Sequence, residues 1–334
     1  MPVPPKENRG QKIEIRLLTS DRGRDEMKSL LFKRASRLSF ILVFATAIFI
    51  SSWAIRASSE EPDITYKMSK VIETLQVRPC DGNFSLAVFG DSHLSQDVFE
   101  FMLNLSSKMN PAFIISVGDF TENGQEEEYK KFISQISKVD IPFFVVPGNH
   151  EYRTSSGRTS LKGIKRYERI FGPGDYYFDY CGWRFVGLDV CKMDLVTNTQ
   201  LKWLKEVLEG KEGRAFVFAH YPPGIVEGWE HYFKTNVDKL MEIIKRYKVR
   251  YYFSGHFHIY DKRIIGPTTY IIAGSSGGGI LKEGEKPEYK YYDPYGGSFY
   301  CFIYVMISGD KAIDILVKPA IPPNPEKRGI KFWN

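Results

Sequence analysis

An α/β fold is predicted by three observations. Short apolar runs alternate with helical stretches between residues 84 and 147 and again between 214 and 254, which is the rhythm of βαβ units. Several of these runs end in Gly followed by Asp, Asn or His, as strands do when they deliver polar side chains to one edge of a sheet. Of the 334 residues, 43% are apolar and 15% aromatic, enough to fill the core of one large domain or two small ones.

The elements follow in chain order. Residues 1–37 form a basic segment with ten Lys or Arg against five Asp or Glu, so nearly all of the formal charge of +6 belongs to it. The rest of the chain is almost neutral, which argues against nucleic-acid binding by the folded part. Leu38 to Ile55 is an uncharged run of 18 residues, a helix of roughly 27 Å that can span a bilayer. Lys28, Lys33, Arg34 and Arg37 precede it and Glu60, Glu61 and Asp63 follow, so charge asymmetry places the N-terminus in the cytoplasm and the downstream domain outside. A cleaved signal peptide starting at Met27 is the competing reading, and it makes the domain a secreted one. Residues 56–83 read as a linker with an amphipathic turn or two, since Ile64, Met68, Val71, Ile72 and Leu75 recur at helical spacing.

The folded domain is expected over 84–320, with 321–334 as a tail. Strands are predicted over 84–90, 112–117 and 142–147, with helices over 95–109 and 125–138 between them. A hairpin is expected from Tyr176–Tyr180 and Arg184–Leu188 around Cys181-Gly182-Trp183. A helix carrying Leu201, Leu204, Val207 and Leu208 follows and stops at Gly210. Strands at 214–219 and 249–254 flank a helix marked by Val237, Leu240, Met241 and Ile244, and the chain is strand-rich from there to residue 317. The cysteines Cys80, Cys181, Cys191 and Cys301 lack the spacing of a zinc site. An exported domain can oxidise them, and a Cys181–Cys191 bridge across the second hairpin strand is conceivable among the three pairings.

The chemistry lies at the strand ends. SLAVFGD ends at Asp91 with His93 beyond, FIISVGD at Asp119, FFVVPGN at Asn149, FVFAH at His220, and YYFSGH at His256 with His258 beyond. The crevice outside the carboxyl ends of α/β strands binds ligands, so these seven side chains can meet although they are far apart in sequence. One such residue alone is ordinarily a turn former or a satisfied cap. Five of six histidines in such places, mixed with carboxylates and a carboxamide, suit a borderline to hard divalent metal such as Mn, Fe, Zn or Co.

Asp91-Ser92-His93, Gly118-Asp119, Gly148-Asn149-His150-Glu151, Ala219-His220 and Gly255-His256-Phe257-His258 resemble, in order, the five blocks of the calcineurin-like metallophosphoesterases. The resemblance implies a four-layer α-β-β-α sandwich of two mixed sheets and hydrolysis of a phosphomonoester or phosphodiester. It implies that Asp91, His93 and His258 hold one metal, that Asn149, His220 and His256 hold a second, and that Asp119 bridges them. His150 would then be left to stabilise the phosphoryl transition state or protonate the leaving oxygen. Glu151 either orients a neighbour or is a solvated turn acid. Two metals can share a water, lower its pKa and present a bridging hydroxide to the phosphorus.

Glu122 stands where purple acid phosphatases of this family place a tyrosine ligand, three residues after the bridging Asp, which speaks against a purple enzyme. Pro147 stands where the protein phosphatases usually have an arginine, and GDFTENGQ and GNHE are more like the group that includes cyclic-nucleotide phosphodiesterases. Further readings are a hydrolase of envelope lipids or pyrophosphates, favoured by the anchor, and a non-catalytic scaffold, disfavoured by the complete set of ligands. Arg153 and Arg158 in a loop are ordinarily solvated, with a clamp on substrate phosphate as the alternative. His231 is ordinarily a core or surface histidine, with a place in a substrate wall as the alternative, and the Gly274–Gly279 run is ordinarily a flexible connection, with backbone amides brought close to a substrate as the alternative.

Overall fold

The computed structural model describes residues 64–153, 159–224, 235–281 and 296–319. The 38–55 segment, His231, Arg158 and the 321–334 tail lie outside them. No helix among the described residues is long and apolar enough to cross a membrane.

The chain opens with α1 (Met68–Gln76) and β1 (Asn83–Phe89), then α2 (Asp97–Lys108), β2 (Phe113–Ser116), α3 (Glu126–Ile136) and β3 (Phe143–Val145). The short α4 (Asn149–Tyr152) and α5 (Leu161–Phe171) precede the hairpin β4 (Tyr176–Tyr180) and β5 (Trp183–Gly187). Then come α6 (Asn198–Leu208), β6 (Ala215–Phe218), α7 (Val237–Arg246), β7 (Tyr251–Ser254), β8 (Tyr260–Ile265), β9 (Thr268–Ala273), β10 (Phe302–Ser308) and β11 (Lys311–Val317).

The strands form two mixed sheets, one ordered β11-β10-β1-β2-β3 and the other β4-β5-β6-β7-β9-β8. Strands β1, β2 and β3 run parallel, as do β5, β6, β7 and β9, while β10, β11, β4 and β8 pair antiparallel at the flanks. The sheets face each other through aromatic rings: Phe113 meets Phe178 at 5.4 Å and Phe185 at 5.0 Å, and Phe144 stacks on Phe178 at 4.2 Å. On the other side of the first sheet, Phe89 and Phe143 pack against Phe99 of α2 and Phe132 of α3. Over the second sheet, Tyr270 of β9 meets Met241 of α7. Alternation along each strand sends one ring set between the sheets and the other under the helices, which gives the layering.

Three stretches differ from the sequence expectation. The region read as a linker holds α1, whose Met68, Val71 and Leu75 are buried at one face, and Tyr66 donates to the Phe143 carbonyl at 3.1 Å. A nine-residue amphipathic helix is stable here because packing supplies what so short a helix lacks by itself. Helix α5 had no counterpart in the sequence reading. It is capped by the Ser160 hydroxyl, which accepts from Gly163 N, and buries Ile164, Tyr167, Ile170 and Phe171. The disulfide joins Cys80 to Cys181, tying the approach to β1 to the tip of the β4–β5 hairpin, and Cys191 is a buried free thiol. The conceivable Cys181–Cys191 bridge is thereby corrected, since Cys191 lies beyond the far end of β5 from Cys181.

Candidate metal centre

The parallel strands of both sheets deliver their carboxyl ends to one place. Asp91 follows β1, Asp119 follows β2, Asn149 and His150 begin α4 after β3, His220 follows β6, and His256 and His258 follow β7. All are buried or nearly so; His220 and Asp91 are fully inaccessible. His93, Asp119, His256 and His258 hold positive φ angles of 44°, 51°, 73° and 54°. Such backbone costs a non-glycine residue about 1–3 kcal/mol and persists where the surroundings over-determine it, commonly at functional sites.

Asp119 is the hub. Its Oδ2 lies 3.2 Å from His220 Nε2, 3.8 Å from His93 Nε2 and 3.8 Å from His150 Nε2, while Oδ1 accepts from the His150 backbone N–H at 2.9 Å. The His220 ring donates from Nδ1 to the Val117 carbonyl at 2.9 Å, which leaves Nε2 as the inward atom. That nitrogen faces Asn149 Oδ1 at 3.1 Å and His256 Nδ1 at 3.2 Å. His258 likewise donates from Nδ1 to the Gly279 carbonyl at 2.6 Å and turns Nε2 to within 3.6 Å of Asp91 Oδ1.

Three overlapping groups each bring one donor atom per residue within 4.8 Å: Asp91, His93 and His258; His93, Asp119 and His150; and Asp119, His220 and His256. The seven side chains singled out in the sequence therefore converge, and His150 lies among them, with its Nε2 close enough to join the middle group.

Electrostatics shows what the cluster needs. Burial alone would lower the His220 pKa, yet the Asp119 carboxylate outweighs it and raises the value to about 9. Burial and the charge of His220 hold His256 well below the usual range, and burial lowers His258. Burial, with help from His93 and Arg153, lowers His150 to about 4. Lone pairs from imidazoles, carboxylates and an amide oxygen thus point at one another in a space that calls for cations. The donor set is oxygen and nitrogen without thiolate, which fits Mn, Fe, Zn or Co and not a soft metal.

Two supports surround the cluster. Glu151 is fully buried and accepts from Asp119 N at 2.9 Å, Thr121 N at 2.9 Å, Thr121 Oγ1 at 2.8 Å and Gly148 N at 2.7 Å. It is a brace between the Asp119–Thr121 turn and the Gly148 turn, not a solvated acid. Burial and the Asp119 carboxylate push its pKa up to about 7, against the four donors, which favour the charged form. The second support was missed in the sequence. The Gly274–Gly279 run lies under Asp91, whose carbonyl accepts from Ser276 N and Gly278 N at 2.9 Å each. A Cβ at Gly90 would fall 2.0 Å from the Gly274 carbonyl oxygen, and one at Gly278 would fall 2.7 Å from His93 Cδ2 and 2.8 Å from His258 Cε1. The glycines exist for close approach, a signal that the sequence carried without naming the partner.

A family model described as calcineurin-like phosphoesterase matches residues 84–260. This chain belongs to the calcineurin-like phosphoesterase family. A probable glycerophosphodiester phosphodiesterase of Arcobacter nitrofigilis is 27% identical over 170 residues, covering 45% of this chain and 58% of that protein. The chain thus spans little more than half the length of that relative. Among solved structures, a purple acid phosphatase from yellow lupin (Lupinus luteus) seeds superposes with a TM-score of 0.57 at 15% identity, over 71% of this chain and 51% of the other. GAP50, the anchor in the inner membrane complex of Plasmodium, superposes with a TM-score of 0.54 at 16% identity, over 71% and 85%. These two share the calcineurin-like fold. Glu122, three residues after Asp119, places its carboxylate 3.6 Å from His93 Nδ1.

Proposed function

We propose that this chain hydrolyses a phosphomonoester or phosphodiester at a site for two divalent metal ions. Asp91, His93 and His258 hold one ion, Asn149, His220 and His256 the other, and Asp119 serves both. When bound, the ions supply Lewis acidity and lower the pKa of a water toward neutrality. Asp119 is suited to the shared role because its Oδ2 lies 3.2 Å from His220 and 3.8 Å from His93, one residue of each set, and Glu151 accepts from its backbone N–H. Val117 and Gly279 carbonyls hold His220 and His258 in the tautomer that keeps Nε2 available, a device that raises ligand affinity. His150 donates from Nδ1 to the Glu122 carbonyl at 2.6 Å, so its Nε2 is the atom that meets a substrate. An incoming phosphate adds negative charge beside that nitrogen, favours its protonation, and equips it to stabilise the phosphoryl group or return a proton to the leaving oxygen.

The observation that carries this reading is the convergence of the His220, His93 and His150 ring nitrogens on Asp119 Oδ2, with Asn149 Oδ1 and His256 Nδ1 beside His220 and Asp91 beside His258. The test is turnover of an aryl phosphomonoester and an aryl phosphodiester by the full chain supplied with manganese. Chelator-sensitive hydrolysis that is lost in His150→Ala supports it. A folded, metal-loaded protein that hydrolyses neither ester overturns it and favours the scaffold reading.

We further propose that residues 38–55 anchor the chain with the phosphoesterase domain outside the cytoplasm, or are removed on secretion. The basic flank of that segment and the Cys80–Cys181 disulfide, typical of oxidising compartments, both support this.

A further inference from the structure

We propose that Arg153 contacts substrate, holding the phosphoryl oxygens beside His150 and favouring a doubly charged phosphomonoester over a singly charged diester. The inference rests on the phosphoesterase reading of the site and names the substrate class within it.

Arg153 ends α4, the short helix that begins with Asn149 and His150. Its backbone is pinned on both sides, by an antiparallel bridge to Thr159 and by its N–H donating to the His150 carbonyl at 3.4 Å. The guanidinium turns back into the site, where Nη1 donates to His150 Nε2 at 2.6 Å and lies 3.4 Å from Nδ1. Because His150 Nδ1 already donates to the Glu122 carbonyl, Nε2 is an acceptor and Arg153 is its donor. That same nitrogen is 3.8 Å from Asp119 Oδ2. The two distances together put Nη1 at most about 6.4 Å from the hub of the cluster.

A solvated loop arginine would extend into water or pair with an acid. Among the described residues, no carboxylate lies within ion-pair distance of this guanidinium, and its side-chain hydrogen bonds are to His150 alone. The guanidinium and the His150 ring thus stand side by side at the edge of the cluster, with the arginine N–H groups aimed at the position where a substrate would meet Nε2. A phosphoryl group entering beside His150 replaces the imidazole as acceptor for the arginine fork. Arginine is fixed in charge and planar, so it rewards a second phosphate charge and a second equatorial oxygen. A diester presents one fewer of each. This is where the preference for the monoester arises.

The test uses the full chain loaded with manganese and compares wild type, Arg153→Ala and Arg153→Lys. Metal content, inorganic phosphate binding by calorimetry, and kcat and KM for an aryl phosphomonoester and diester are measured on each. Arg153→Ala should keep the wild-type metal content, weaken phosphate binding about 10- to 100-fold, and raise the monoester KM by a similar factor, the worth of a charge-assisted hydrogen bond. The diester KM should move less than threefold, and Arg153→Lys should recover part of the phosphate affinity. Unchanged phosphate binding in a metal-replete Arg153→Ala protein overturns the proposal, as does an equal loss for both esters. If wild type binds phosphate in an Arg153-dependent way but turns over neither ester, the hydrolase reading falls while the anion contact stands.

Discussion

Replacing Glu151 tests whether the bridging position is held by its backbone. The carboxylate is fully buried and takes three N–H donors and one hydroxyl, all between 2.7 and 2.9 Å. In Glu151→Ala these donors lose their acceptor. Each buried donor left unsatisfied costs about 1–3 kcal/mol, but one shared cavity admits water and the terms are not additive. The expected loss is therefore roughly 3–5 kcal/mol, the usual cost of removing one partner from a buried charged network. Urea unfolding of the metal-free protein reads this without any contribution from bound ions. Glu151→Gln keeps the shape but presents an amide nitrogen to N–H donors, and should lose about half as much. Both variants should also weaken metal affinity about 10- to 100-fold, the typical effect of removing a group that orients a ligand. A loss below about 1 kcal/mol with unchanged metal affinity would refute the brace, since four buried donors cannot lose their acceptor that cheaply.

Gly278→Ala drives a methyl group against the His93 and His258 rings. Elemental analysis should show the metal proposed for Asp91, His93 and His258 lost while the other is retained. Asp119→Ala should lose both metal and turnover, whereas His150→Ala should cut kcat by about 100-fold or more with metal content kept; equal metal loss in the two would contradict the role given to His150. Asp189 provides the pH prediction: burial, with the Asp175 carboxylate, raises its pKa from 3.8 to about 7. Between those values the folded protein holds a proton that the unfolded chain has released, so stability is fully present below about pH 4 and is lost as pH rises through about 7. The slope is up to about 1.4 kcal/mol per pH unit, and Asp189→Asn should flatten it in denaturant titrations across that window. The Cys80–Cys181 bridge closes a separation of 101 residues, so Cys181→Ser should lower stability by about 2–5 kcal/mol under oxidising conditions and by nothing under reducing ones.

Much of the fold and of the cluster was legible because both are written locally. The predicted strands at 84–90, 112–117, 142–147, 214–219 and 249–254 lie within a few residues of β1, β2, β3, β6 and β7, since buried parallel strands are short apolar runs bounded by glycine. The polar residues after those runs are where the clustered imidazoles and carboxylates stand, because parallel strands bring their carboxyl ends to one place. What stayed hidden depends on contacts between distant residues. Nothing periodic tells that Gly278 lies between His93 and His258, that Glu151 reaches across to the Asp119 turn, or that Cys80 meets Cys181. Helix α5 escaped because Gly163 and a run of basic residues mask its apolar face, which only Ile164, Tyr167, Ile170 and Phe171 reveal. Arg153 read as a loop cation because the turn of α4 that sends it back toward His150 is only four residues long.

The central claim is that this cluster is a two-metal hydrolytic centre. The most direct test is to strip the full chain with chelator, restore manganese, iron or zinc in steps, and follow bound metal by elemental analysis beside hydrolysis of an aryl phosphate ester. Turnover that rises as occupancy approaches two ions per chain, and that falls again with chelator, is the result expected. A folded protein that takes up none of the three metals and hydrolyses neither a monoester nor a diester would contradict the account.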